Sequence, residues 1–186
     1  MAYPTWQVYI DWNDDGDYGD AGETVTSRVK RIFIDRGFGN QFARIAKVGM
    51  CLIELSNASK DYSPDNTNSP LYGNVVPMRS VEVGTSSGYK LFTGKIATIE
   101  PEAGKSASRA ITLHCVDAMD WLANTNLSLA LQTNQRADQL IATIVSAVYT
   151  PSGTDYDTSN DTYPYAGDTW FDETITAAQA LEEIAA

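Results

Sequence analysis

The chain has 186 residues, 43% of them hydrophobic, with ten tyrosines and a formal net charge of −11. That is enough for one sizeable domain, or one domain and part of another, with a buried core. All 13 Lys and Arg residues lie at or before Arg136, so the segment from Ala137 onward carries only carboxylates. Such a surface does not hold nucleic acid by neutralising phosphates, whereas an acidic wall lets a polyanion slide past without sticking. No window approaches the length of a membrane span, and the first residues have neither the basic nor the apolar stretch of an export signal, so synthesis in the cytosol is expected.

The first element is a strand, because Trp6-Gln7-Val8-Tyr9-Ile10 alternates with period two. The run from Asp11 to Glu23 follows it, carboxylates punctuated by glycines. Calcium loops place oxygen ligands at alternate positions and a glycine at the sixth, where the chain must turn sharply. Asp11, Asn13, Asp15 and Gly16 keep that order, and Asp17 stands where a backbone carbonyl is usually offered. The twelfth position is Gly22, so the closing carboxylate has to be Asp20 or Glu23. The candidate ligands for Ca2+ are therefore Asp11, Asn13, Asp15, Asp17, Asp20 and Glu23. Since the loop leaves a strand, no helix-loop-helix pair is implied. An ion-free acidic hairpin uses the same residue types, because Asp, Asn and Gly are also the commonest turn formers.

Val29 to Asp35 reads as the next strand, and Gly37-Phe38-Gly39-Asn40 as a turn rather than a phosphate loop, since no helix follows with the required spacing. Val48 to Leu55 is apolar on both parities, the pattern of a strand covered on both faces. From Ser56 to Arg79 the chain is rich in Ser, Asn, Asp and Pro, a loop of unusual length. Its apolar anchors, Tyr62, Leu71, Tyr72 and Met78, are candidates for a subunit contact or for packing on their own domain. Strands resume at Ser80–Val83, Tyr89–Ile99 and Arg109–Val116, with turns at Ser86-Ser87-Gly88 and Glu102-Ala103-Gly104-Lys105. Six such strands suggest a closed or nearly closed antiparallel barrel.

In the last of them Ile111, Leu113 and Cys115 share one face and leave His114 on the other. Cys51 and Cys115, each in an alternating apolar strand, read as buried free thiols, and with one histidine in the chain they argue against a zinc site. A short helix follows Asp117 as N-cap, placed to plug one end of the barrel. Leu140, Ile141, Ile144, Val145 and Val148 mark an amphipathic helix after Arg136. Pro151 to Tyr165 reads as a polar loop, and Thr176-Ala177-Ala178-Gln179 as a capping box opening a second helix that is cut off at Ala186. The domains expected are a tube-like β-barrel over 1–125 and the truncated start of a helix-containing domain over 126–186, a mainly β chain with some helix.

The opening strand with Tyr9 to Asp17, the Tyr62-Ser63-Pro64 and Ser69-Pro70-Leu71-Tyr72-Gly73-Asn74 pieces, Leu91 to Ile96, the Cys115-Val116-Asp117-Ala118 to Trp121-Leu122 corner and Leu131-Gln132-Thr133-Asn134 stand in an order that resembles phage tail hub proteins. The likeness is to the amino-terminal part of these central baseplate or tail-tip components, related to the late control D family. It implies a non-catalytic virion protein, forming a homotrimeric ring whose barrels continue the tail tube around a channel for the tape measure protein and then DNA. Distal tail, tube, and fibre or spike proteins are the implied partners. A calcium-stabilised secreted adhesion or carbohydrate-binding β module is the alternative reading of the acidic loop. A hydrolase fragment is a third, but no nucleophile elbow, metal-hydrolase helix or phosphate loop is present to carry it.

Overall fold

The computed structural model describes residues 5–102, 109–150, 155–158, 161–170 and 174–185. The turn expected at 102–105 and the cut helix end at Ala186 fall mostly or wholly outside them. The chain divides into two compact units, 1–35 with 50–117, and 36–49 with 118–186.

The first unit is a curled, half-barrel sheet of six antiparallel strands. They are β1 (Trp6–Asp11), β2 (Val29–Asp35), β3 (Met50–Ser56), β4 (Ser80–Thr85), β5 (Lys90–Glu102) and β6 (Ala110–Val116). Across the sheet the order is β1-β4-β5-β6-β3-β2, so β4 to β6 run as a meander while β1 and β2, neighbours in sequence, end at opposite edges. Alternation sets the faces. Val8, Ile10, Ile53, Leu55, Val81, Val83, Ile96, Ile111 and Leu113 are fully buried in one cluster, and their intervening neighbours face outward. Burying each such side chain contributes roughly 1.5–3 kcal/mol, which is what fixes the register. In β3 only one parity is covered: Cys51, Ile53 and Leu55 are buried, whereas Met50 is 52% exposed. The apolar run there is thus not a strand sandwiched between layers.

Pairing of β3 with β6 sets Cys51 directly opposite Cys115, and both thiols are free and buried. On the other face His114 Nε2 lies 3.4 Å from Glu100 Oε2 of β5, a cross-strand pair at the surface.

The second unit holds α1 (Ala118–Asn124), β7 (Gln132–Arg136), α2 (Ala137–Val148), β8 (Thr162–Ala166) and α3 (Ala177–Ile184). Its core gathers Leu122, Leu127, Leu140, Ile144, Trp170, Ile175, Ala177, Ala180 and Ile184. Leu122 and Met119 of α1 belong to this cluster, so α1 packs with the helices. The amphipathic reading of α2 holds, with Leu140 and Ile144 fully buried. At the start of α3 the Thr176 hydroxyl accepts from the Gln179 amide at 3.3 Å while the Gln179 side chain accepts from the Thr176 amide at 2.8 Å, the reciprocal pair expected there. The stretch expected as a polar loop up to Tyr165 instead contains β8, paired antiparallel with β7. Pro164 hid it, since proline cannot donate to a ladder and is confined to edges, and a two-stranded ribbon is all edge.

Candidate metal centre

The acidic run is a hairpin hung on the sheet. At its base the Ile10 amide donates to the Glu23 carbonyl at 2.9 Å and the Val25 amide to the Val8 carbonyl at 3.0 Å. β1 is held on its other side by β4, with Asp11 opposite Ser80. These two constraints bring the ends of the loop together and bury both Asp11, 2% exposed, and Glu23, 1% exposed.

Asp11 organises the turn. Its Oδ1 accepts from the amides of Asp14 at 2.6 Å and Asp15 at 3.2 Å, and its Oδ2 from Gly16 at 3.0 Å. Gly16 has φ +91°, the left-handed conformation that glycine adopts without steric cost. The outcome is that oxygens of Asp11, Asp15 and Glu23 all lie within 4.8 Å of one another. Glu23 Oε2 accepts from the Asp20 amide at 3.0 Å, but Oε1 is buried with no hydrogen-bond partner. Burial is the main influence pushing the Glu23 carboxyl above its usual range, and the nearby charges of Asp11 and Asp20 add to it. The Trp12 indole nitrogen is likewise buried and unpartnered.

The remaining candidates take other places. Asn13 donates from its side-chain nitrogen to Asp15 at 3.0 Å and to Asp20 at 2.6 Å, so it ties Asp20 to the cluster from one step outside. Asp17 turns away, its Oδ1 accepting from the Gly19 amide at 2.7 Å. Of the two possible closing acids, Glu23 is the one that joins Asp11 and Asp15. It stands one residue later than in a helix-flanked loop, and Gly22 at φ +97° takes up the extra residue.

The long loop from 57 to 79 is built against this hairpin. Tyr62 and Leu71 are buried in the sheet's core, the Tyr62 ring 5.7 Å from that of Trp12. Leu71 lies over Gly22, where an added Cβ would come within 3.2 Å of its Cδ2. Arg79 reaches Asp14 at 3.3 Å, and Trp12, Asn13, Asp20, Glu23, Leu71 and Asn74 line a cleft between the two loops. Tyr72 and Met78 remain about half exposed. Sequence spacing found the acids, but the role of Leu71 as a lid over Gly22 had no sequence signal.

The residues present suit a hard cation. All three clustered groups are carboxylates, and no thiolate or imidazole is among them.

No protein-family model and no curated protein matches the chain. Solved structures do share its fold. The 43 kDa tail protein of prophage MuSo2 from Shewanella oneidensis superposes with a TM-score of 0.52 at 12% identity, over 98% of this chain and 49% of that one. A tail protein from Neisseria meningitidis MC58 does so with a TM-score of 0.54 at 14% identity, over 98% of this chain and 46% of that one. The chain therefore spans about half the length of these solved proteins. At such identity the fold is what is shared, and these two structural neighbours are tail proteins, one of them from a prophage.

Proposed function

We propose that the chain is a structural component of a phage-type tail, forming part of a homotrimeric hub at the tail tip that continues the tube channel for the tape measure protein and DNA. The observation that carries this reading is the match of its fold, over 98% of its length, to two tail proteins roughly twice as long. The mechanism is architectural rather than catalytic. A curled sheet supplies a segment of wall, and copies related by a rotation axis complete it. β2 is a sheet edge, paired only with β3 among the described strands, and carries Lys30, Arg31 and the 60% exposed Phe33. An edge of this kind accepts a strand from a neighbour, while its charges discourage indiscriminate pairing. Tyr72 and Met78, exposed on a loop whose other anchors are buried, are the contacts assigned to a neighbouring copy. The excess of carboxylates keeps a passing polyanion from adhering.

Antiserum against this chain, gold-labelled on intact tails, tests the reading. Label confined to the tail tip supports it; label along the tube, or particles without the chain, rejects the hub. Light scattering on the purified protein should give three times the chain mass of 20.3 kDa.

A further inference from the structure

We infer that the hairpin between β1 and β2 is a calcium site, with Asp11, Asp15 and Glu23 as its carboxylate ligands. The inference is independent of the tail reading and rests on two separate observations. The first is convergence: three carboxylate oxygens from positions 11, 15 and 23 lie within 4.8 Å of one another, in an otherwise acidic loop. Charges so placed repel unless a cation lies among them. The second is an orphaned acceptor. Glu23 is 1% exposed, yet its Oε1 has no hydrogen-bond partner. Buried polar atoms are nearly always satisfied, and leaving a carboxylate oxygen unpaired away from water is costly. A cation among the three carboxylates supplies what that atom lacks.

The surrounding geometry selects the class of ion. Asp11 accepts three loop amides while remaining at the cluster, so the turn is formed before any ion arrives. Oxygen donors alone exclude the softer metals by preference, and a loop contributing carboxylates at irregular spacing suits calcium, which tolerates variable coordination, better than magnesium, which demands a near-octahedral shell. The side chain of Asn13 and the carboxylate of Asp20 stand just outside as orienting groups. Because Leu71 rests on Gly22 and Arg79 on Asp14, an ion here also fixes the 57–79 loop.

The test uses the whole chain, stripped with a chelator and titrated with calcium chloride by calorimetry and by melting temperature, with magnesium chloride as the comparison. One site with a calcium-dependent rise in melting temperature is expected, since an ion that binds only the folded state stabilises it by mass action. Asp15→Asn should weaken calcium at least ~10-fold, because ligand charge sets affinity in such loops. Asp17→Asn removes the same charge from the same loop but from outside the trio, and should leave affinity within about threefold of wild type. Equal effects of the two variants would mean general screening and overturn the site, as would a wild type that shows neither heat nor a shift in melting temperature at millimolar calcium. Glu23→Gln should also abolish binding; should that variant fail to fold, the substitution at the exposed Asp15 still decides between a site and general screening.

Discussion

Gly94 sits in β5 at the point where the strand pairs with both β4 and β6, opposite Val81 on one side and next to the Lys95–Val116 pair on the other. A Cβ added there would stand 2.1 Å from the Val116 carbonyl oxygen and 2.9 Å from Phe92 Cζ. Carbon and carbonyl oxygen normally approach to about 3.3 Å, so the overlap exceeds an ångström and involves backbone, which cannot swing aside as a side chain does. Overpacking costs about 1–3 kcal/mol, and displacing an interior strand forfeits ladder hydrogen bonds at about 1 kcal/mol each. Gly94→Ala should therefore destabilise the sheet by about 4 kcal/mol, which for a unit of about 100 residues lowers the melting temperature by about 15–30 °C. The control is Gly39→Ala, where nothing lies within 4 Å of the new methyl; it should melt within about 3 °C of wild type. Thermal unfolding followed by circular dichroism decides the matter. A Gly94→Ala protein melting within about 4 °C of wild type would refute the argument, because the β5–β6 spacing would then have room that the structure denies.

Thr176→Ala removes the cap of α3 and should cost about 1 kcal/mol in urea unfolding of the second unit, with Thr176→Ser restoring most of it. Burial pushes the Cys51 thiol from 9.0 up to about 12 and the Cys115 thiol further still, so the fold holds both neutral at a pH where the unfolded chain ionises them. Stability from this source is complete below pH 9 and falls as pH rises from there towards 12, by about 1.4 kcal/mol per pH unit for each thiol; urea midpoints between pH 8 and pH 10.5 should show the decline, and Cys51→Ala should flatten it. Asn57 is 3% exposed, accepts the Tyr62 amide at 3.1 Å and donates to Ser63 at 3.1 Å. Asn57→Ala should cost about 1–3 kcal/mol and raise amide exchange at Tyr62, since that donor is left buried without a partner.

Much of the sheet was legible because its strands alternate with one apolar face. Val29 to Asp35 and the inward trio Ile111, Leu113 and Cys115 follow from period alone. So does the amphipathic α2, and the α3 cap follows from four consecutive residues. What stayed hidden depends on long-range register. That Cys51 faces Cys115 is set by the β3–β6 pairing, and nothing within either strand announces it. The β7–β8 ribbon is written in Gln, Thr, Asn, Tyr and Pro, residues that carry no apolar alternation. At the candidate metal centre the spacing named six residues, and the fold gathers three of them. The difference is the hairpin base: it draws Glu23 back to Asp11, while Asp17 commits its carboxylate to a local turn.

The position of β1 and β2 at opposite edges gives the segment between them an unusual duty. Before it reaches β2 it turns back along β1 at the Tyr9–Thr24 bridge, the Thr26 hydroxyl accepts from the Val8 amide at 2.9 Å, and Arg28 pairs with Asp61 at 2.9 Å. One segment thus pairs with β1 at one edge and feeds the strand at the other. Glycines inserted between 12 and 28 would loosen that path, so a change in what looks like a surface loop would be felt at the two edges of the sheet rather than at its middle strands.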